Sequence, residues 1–278
     1  NLPTGHRTTI RTGLPAVYWR LINQGVTPSK STTAHIDEQA GMLEAWSEVD
    51  VDLAELGGNV GAVRLSEARA FLEAMNQEMA STLFYGNGSL APEEFTGLSA
   101  RYSALSGAAS TDNVINGGSS GSSTNTSMWL VAWAPGTAFG LFPQGSKAGI
   151  FHEDLGKVTV EVTAGVAGQR MRAYQDHFQW KAGLCVKDWR YVVRVANIDI
   201  ADLDAAPTTA VLIPKLEDAV ERLPNGLGSP VIYVNRSIRK RLRREARIAV
   251  GSGGGITYDN VMGRPIMNFA ESQTCGKR

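Results

Sequence analysis

Few residues in this 278-residue chain are spaced to do chemistry. His152-Glu153-Asp154 comes nearest to an acid–base or metal cluster. Adjacent residues of a strand point to opposite faces, so these three converge on one ion only through a special turn, and the triplet reads as a polar turn. His6, His35, His152 and His177 are scattered, with no HExxH and no Cys–His spacing of the kind that holds zinc. Cys185 lies between Leu184 and Val186 with no His placed to activate it, which reads as a packed thiol and not a nucleophile. Asp50 and Asp52 could share a cation from one strand face, although a solvated or partner-facing edge is the better reading. There is no GxSxG elbow and no glycine-rich loop ending in Gly-Lys-Ser/Thr, and the glycines at 117–121 and 251–255 lack GxGxxG spacing. Asn125-Thr126-Ser127 matches the glycosylation pattern, but no secretory signal accompanies it and the match reads as chance. These residues predict a protein that is not an enzyme and that uses no metal or cofactor.

The polar residues make a stronger pattern as charge. The totals balance at 27 basic and 27 acidic residues, so the whole molecule is not a polyanion binder. Locally the balance breaks. Residues 31–63 carry no Lys or Arg against Asp37, Glu38, Glu44, Glu48, Asp50, Asp52 and Glu55. Residues 236–247 hold seven bases against Glu245 alone, and Arg236, Arg239, Lys240, Arg243 and Arg247 recur at three- and four-residue steps. Three readings stay open for this basic helix: phosphate contacts to nucleic acid, a solvated face, or a match for acidic protein surface. The chain supplies such acid itself, at Asp37, Glu38, Glu48, Asp50 and Asp52. Opposed patches on one neutral chain favour contacts between copies, acidic excursion against the next basic helix, which propagate into rings or shells.

The elements that would position these charges follow from periodicity. Leu65, Ala68, Leu72, Met75, Met79 and Leu83 form one helical stripe over 64–85, with Ser66 as N-cap and Gly86 as a left-handed stop. Val49, Val51 and Leu53 alternate with acids, which predicts a half-wet strand. Residues 17–56 thus read as a long two-stranded excursion with a polar tip at 27–35, set off by an apolar knot at Val17-Tyr18-Trp19. Residues 86–98 read as a turn-rich exit, 106–127 as a flexible surface loop, and Met128–Trp133 and Phe139–Phe142 as strands. Val158, Val160 and Val162 alternate, and the apolar phase slips from even to odd near Lys187-Asp188, which predicts a bend. Lys187, Arg190 and Arg194 fall on the polar side of that sheet. Leu212, Leu216, Val220 and Leu223 stripe a helix that opens near Thr208, with Pro214 in its first turn and Pro224 at its end. A strand at 231–234 leads, through a cap at Asn235 or Ser237, to the basic helix at 237–249, edged by Ile238, Leu242 and Ile248. A glycine break at 251–255 and a closing hairpin of 256–258 with 265–269 complete the α+β pattern. Two cysteines make no disulfide framework, and the longest apolar run, 128–134, is too short to span a bilayer. The chain opens without Met and stops abruptly at Lys277-Arg278, which suggests missing ends.

An extended excursion, a long strut, a glycine-rich exit ending in Thr96-Gly97-Leu98, then sheet and a mixed tail: this order resembles the major capsid proteins of tailed bacteriophages with the Hong Kong 97-type fold. The likeness is carried by NLPTGHRTTIRTGLPAVYWR (1–20), RAFLEAMNQEMASTLFYGN (69–87), PQGSKAGIFHEDLG (143–156) and DWRYVVRVANID (188–199), as in the podovirus-like major capsid family. The resemblance implies a remnant of an N-terminal arm at 1–16 and an extended loop at 17–60 that reaches over a neighbour. It implies a peripheral domain of 61–105 and 150–205 around the spine helix at 64–85, and an axial domain of 106–149 and 206–278. It further implies pentamers and hexamers closing an icosahedral head around double-stranded DNA, assembled in the host cytoplasm. The implied partners are the chain itself, scaffold, portal and decoration proteins, and packaged DNA touched without specificity, but no membrane. A nucleic-acid-binding protein using 236–247 and an encapsulin-type compartment shell are the alternatives.

Overall fold

A computed structural model describes residues 5–107, 109–118, 124–161, 168–201, 211–224, 226, 228–251, 260–261 and 264–268. Its frame is an 11-stranded sheet that carries helices on its faces and runs out at one side into a projecting hairpin. The hairpin consists of β1 (Gly5–Gly13) and β2 (Thr32–Asp50), antiparallel, with Gly5 opposite Gln39 and Ile10 opposite Ala34. The excursion therefore starts earlier than its apolar residues suggest: Thr- and Arg-rich β1 is its first strand, and residues 14–31 form the tip. The apolar knot lies at that tip and not in a strand.

Beyond β1, β2 pairs with β7 (Arg170–Val186), Ala40 opposite Gly183 and Asp50 opposite Ala173. The other edge of β7 takes β6 (Ile150–Glu161) and then β5 (Ala138–Leu141). Next come β4 (Asn125–Trp133), β9 (Ser229–Val234) and the short pair β10 (Asn260–Val261) and β11 (Arg264–Asn268). A branch off β4 carries β8 (Val192–Asp199) and then β3 (Val114–Asn116).

The half-wet strand expected through Leu53 ends at Asp50. Val51–Leu56 is a short helix, α1, because the Asp50 carboxylate accepts from the Asp52 amide and caps it. The long helix, α2, spans Val60–Tyr85, about 39 Å at 1.5 Å per residue. Asn59, not Ser66, is its N-cap, with Oδ1 accepting from the Ala62 amide at 3.0 Å. The helix buries Met75, Thr82 and Phe84, whereas Leu65 stays 54% exposed, so the stripe holds only along its later turns. Gly86 ends α2 without turning left-handed; its φ is −54° and ψ 140°. Glycine is required there for proximity: a Cβ would lie 2.6 Å from the carbonyls of both Thr82 and Phe95.

Residues 86–97 fold back on the end of α2, and a short α3 (Leu98–Arg101) follows. At Gly97 a Cβ would stand 2.5 Å from the Thr82 carbonyl and 2.8 Å from that of Leu83. Gly97→Ala is expected to cost about 1–3 kcal/mol by forcing that return strand off the helix, read as a lower urea midpoint with unchanged slope. The polar 109–118 segment is no free loop either. It holds a 3₁₀ turn at Ala109–Asn113 and β3, with Val114 and Ile115 buried.

Strand β4 is buried on both faces, which explains its unbroken apolar run. Met128 and Leu130 face a cluster with Leu212, Leu216, Ile232, Ile238 and Leu242. Trp129 and Val131 face the opposite way, against Phe84, Phe95, Leu98 and Tyr102. The apolar phase slip near Lys187-Asp188 is a 3₁₀ corner at Trp189–Tyr191, capped by Asp188. Helix α4 spans Leu212–Glu221, with Leu212, Leu216, Val220 and Leu223 buried as the periodicity requires. Helix α5 spans Arg236–Gly251 and starts from Asn235, whose Oδ1 accepts from the Ile238 amide at 2.8 Å. Its tail includes Gly251; residues 252–255, the expected strand at 256–258 and the helix start at Thr208 lie outside the described residues. The closing hairpin instead pairs Asn260–Val261 with Arg264–Pro265, and β11 runs parallel to β9.

Candidate assembly surfaces

No catalytic arrangement forms around the residues singled out for chemistry. His152-Glu153-Asp154 lies within β6 and is a strand, not a turn. Alternation then sends His152 and Asp154 to one face, where they meet Arg64 of α2 and Asp176 of β7. Arg64 Nη2 stands 2.6 Å from Asp154 and 2.8 Å from Asp176, and His152 Nε2 is 2.9 Å from Asp176. The Arg64 guanidinium also lies 5.1 Å from the centre of the Tyr174 ring. The Arg64 hydrogen bond holds the Asp154 carboxyl below its usual range, and the Arg64 pKa is correspondingly raised, Asp154 being the main cause. This knot ties the start of the long helix to the sheet. Cys185 is fully buried, and loss of hydration pushes its thiol up to about 11, which suits packing and not nucleophilic attack. Cys275 lies outside the described residues. Among the described residues no three His, Cys, Asp or Glu side chains gather to hold a metal ion, and no helix is long and apolar enough to cross a membrane.

The acidic patch is largely consumed within the chain. Asp37 accepts from Arg7 across the hairpin at 2.6 and 2.7 Å, and that bond holds its carboxyl low. Glu38, expected at a contact between copies, is instead enclosed and gripped by both terminal nitrogens of Arg101. Glu48 accepts from Gln175, Asp50 caps α1, and Glu55 accepts from Lys157 at 2.7 Å. Of the five acids proposed for contact, Asp37, Glu48 and Asp52 are exposed, Asp50 is half-buried and Glu38 is withdrawn from the surface.

The basic helix turns its charges unevenly. Arg236, Lys240 and Arg244 are exposed at i, i+4, i+8; Arg239 and Arg243 flank them half-buried, and the Arg247 side chain lies outside the described residues. Arg241 points inward, 3% exposed, and donates from Nε to Glu245 Oε1 at 2.8 Å. Glu245 is fully buried, and its second oxygen accepts from the Leu212 and Ile213 amides at 2.9 and 3.0 Å. A lone acid four residues after an Arg was the one sequence signal for this pair. Arg194 is also not on a wet face: it is buried over Trp129, donating to Ser127 and to the Tyr102 carbonyl. Nothing in the sequence marks Arg64 or Arg101, whose partners lie 112 and 63 residues away.

The hairpin tip is open to solvent. Leu14, Val17, Tyr18, Trp19, Leu21 and Ile22 are all at least 60% exposed, and Trp19 is completely so. Six large apolar side chains exposed together on a projecting arm mark an interaction surface. A projecting hairpin and a long strut helix across a sheet are the parts of a shell-building subunit of the Hong Kong 97-type capsid fold. The sequence matches the family described as Major capsid protein GP7 over residues 1–274, and the chain belongs to that family.

Solved structures are similar to the chain to different degrees. A chain from the near-atomic structure of bacteriophage Epsilon15 is 30% identical, with a TM-score of 0.71, over 99% of this chain and 85% of that one. A chain from the decorated capsid of bacteriophage JBD30 is 10% identical at a TM-score of 0.48, over 96% and 85%. No curated protein matches. The chain is a major capsid protein of tailed phages, a structural component of an icosahedral shell.

Proposed function

We propose that the chain closes its shell as pentamers and hexamers assembled in the host cytoplasm, with no catalytic turnover of its own. The observation that carries this reading is the exposed apolar tip on a hairpin braced by internal ion pairs: reach is built in, and its match must come from another molecule. The peripheral domain is 61–105 with 150–205, and the axial domain is 106–149 with 206–278. The exposed row Arg236, Lys240 and Arg244 is a contact between copies, with half-buried Arg239 and Arg243 supporting it and Arg247 extending it. On the acidic side, Asp52 together with the outward parts of Asp37, Glu48 and Asp50 is its counterpart. Scaffold, portal and decoration proteins and packaged DNA are the further partners.

Replacing Arg236 and Lys240 by Glu is expected to leave a folded subunit that assembles at least roughly tenfold less efficiently, since like charges then face each other. Electron microscopy and sedimentation of purified subunits read this. Normal particles of normal DNA content from that variant would refute the contact. Normal particles with reduced DNA would assign the row to the genome, where binding falls steeply with salt.

A further inference from the structure

The outer edge of a sheet is chemically unfinished, because its outward N–H and C=O groups have no partner strand. Strand β6 is such an edge: among the described residues it pairs with β7 alone. Its two halves differ. In the first half His152, Glu153 and Asp154 put polar groups at successive positions, and the register to β7 slips between Asp154 and Gly156. Such a bulge spoils an edge as a template for pairing. The second half, Lys157–Glu161, keeps an unbroken ladder to β7, from Lys157 opposite Tyr174 to Glu161 opposite Arg170. Its middle residues, Val158, Thr159 and Val160, are all β-branched, the type that best fits a pleated surface. Lys157, Thr159 and Glu161 are exposed on one face, and Val158 and Val160 are half-buried on the other.

We propose that Lys157–Glu161 pairs edge to edge with the same residues of a second copy of the chain, antiparallel about a two-fold axis at Thr159, and so joins one capsomer to the next. The inference rests on the reading of pentamers and hexamers and adds what holds them together. Self-complementarity carries it. Turned about Thr159, Lys157 stands opposite Glu161 of the second copy, Val158 opposite Val160, and Thr159 opposite itself. Opposite charges and Thr–Thr pairs set directly across an antiparallel ladder are favourable. Residues directly opposite each other share a face, so only registers that keep odd numbers against odd are open. Moving the axis by one residue parts the opposite charges. Moving it by two sets Lys157 against Lys157 or Glu161 against Glu161, so charge fixes the centre at Thr159. Lys157 already holds Glu55 at 2.7 Å, but its ammonium carries three donors and can serve a second carboxylate. A contact of this kind is isologous and closes after two copies, so it builds no ring. It suits the seam between capsomers, where subunits of an icosahedral shell face each other across two-fold positions.

Thr159→Cys tests the axis directly. Opposite side chains of an antiparallel pair have Cβ atoms about 4.5–5.5 Å apart, close enough for a disulfide after a small shift. Oxidised shells of this variant are expected to give covalent dimers on non-reducing gel electrophoresis that oxidised wild-type shells lack. Intact shells without those dimers overturn the pairing and leave the capsid role standing. Charge reversal tests the register. Glu161→Lys sets like charges across the axis twice, and is expected to lower shell yield at least about tenfold while capsomers still form. Adding Lys157→Glu to it is expected to restore most of the shells. The two residues lie four steps apart on one strand, roughly 13 Å at 3.3 Å per residue, so the rescue must act between copies. Wild-type yield from Glu161→Lys, or no rescue by the second change, overturns the pairing, and these variants decide alone should Thr159→Cys not assemble. Wild-type subunits that form neither capsomers nor shells under any condition overturn the capsomer reading and the pairing together.

Discussion

Glu245→Ala is expected to destabilise the subunit by about 3–5 kcal/mol, more than any other single substitution on α5, because it removes a buried carboxylate that pairs with Arg241 and accepts from two helix amides. The reason is the number of groups that one carboxylate serves. The first turn of α4 has amides with no partner inside the helix, and Val211 ahead of it gives no side-chain cap. Pro214 has no N–H, which removes one orphan donor. Glu245 Oε2 satisfies two more, those of Leu212 and Ile213, from a helix 33 residues further along. Its Oε1 pairs with Arg241, whose side chain is 4% exposed. The alanine variant thus loses the cap of α4 and a buried partner of Arg241 together. Arg241→Ala should cost less, since Glu245 keeps its two amide donors. Glu245→Gln should fall between, as it keeps an acceptor for the amides and loses the charge. Urea unfolding of dissociated subunits orders the three variants. An Arg241→Ala loss as large as that of Glu245→Ala would show that the ion pair, and not the cap, carries the joint between α4 and α5.

That joint also shows what can be read from one sequence. The stripes of α4 and α5 are legible because each presents one face to one core, so that apolar spacing and burial coincide at Leu212, Leu216, Ile238 and Leu242. The phase slip before Trp189 is legible for the same reason: a corner must move the apolar set to the other parity. The start of α2 is hidden because its first turn, Val60–Val63, buries no side chain fully and carries no stripe, although Asn59 after two glycines was a visible capping residue. Strand β1 is hidden because both of its faces are largely wet, so its Thr-rich sequence has no alternation to show. Asp37, Glu38 and Glu48 look alike in sequence as members of one acidic run. Their fates differ because the fold brings a different partner to each, and a charge does not announce its partner. The dependence is clearest where strand parity sets neighbours against each other.

Glu38→Ala is the sharpest case. Glu38 and Asp37 are consecutive residues of β2, so their side chains leave opposite faces of the hairpin. The Asp37 side chain is 47% exposed against Arg7, whereas that of Glu38 is 7% exposed against Arg101. Arg101 Nη2 also donates to the Thr96 and Leu184 carbonyls, so the side chain is held to the segment that folds back at 86–97 and to β7 as well as to β2. Removing Glu38 leaves that guanidinium inside the molecule without its counter-ion, an expected loss of about 3 kcal/mol. Removing Asp37 exposes Arg7 to water and should leave the unfolding midpoint unchanged, because exposed pairs contribute little. Assembly should follow the same order. The hairpin root is where the reach of the arm is fixed, and a root that pivots spreads the tip over many positions, which lowers its effective concentration at any docking surface. Glu38→Ala subunits are therefore expected to assemble poorly even under conditions where they remain folded, and Asp37→Ala subunits to assemble normally. Equal assembly of the two, measured by sedimentation at matched folded fractions, would mean that the arm does not need a rigid root. Its reach would then come from the β1–β2 pairing alone.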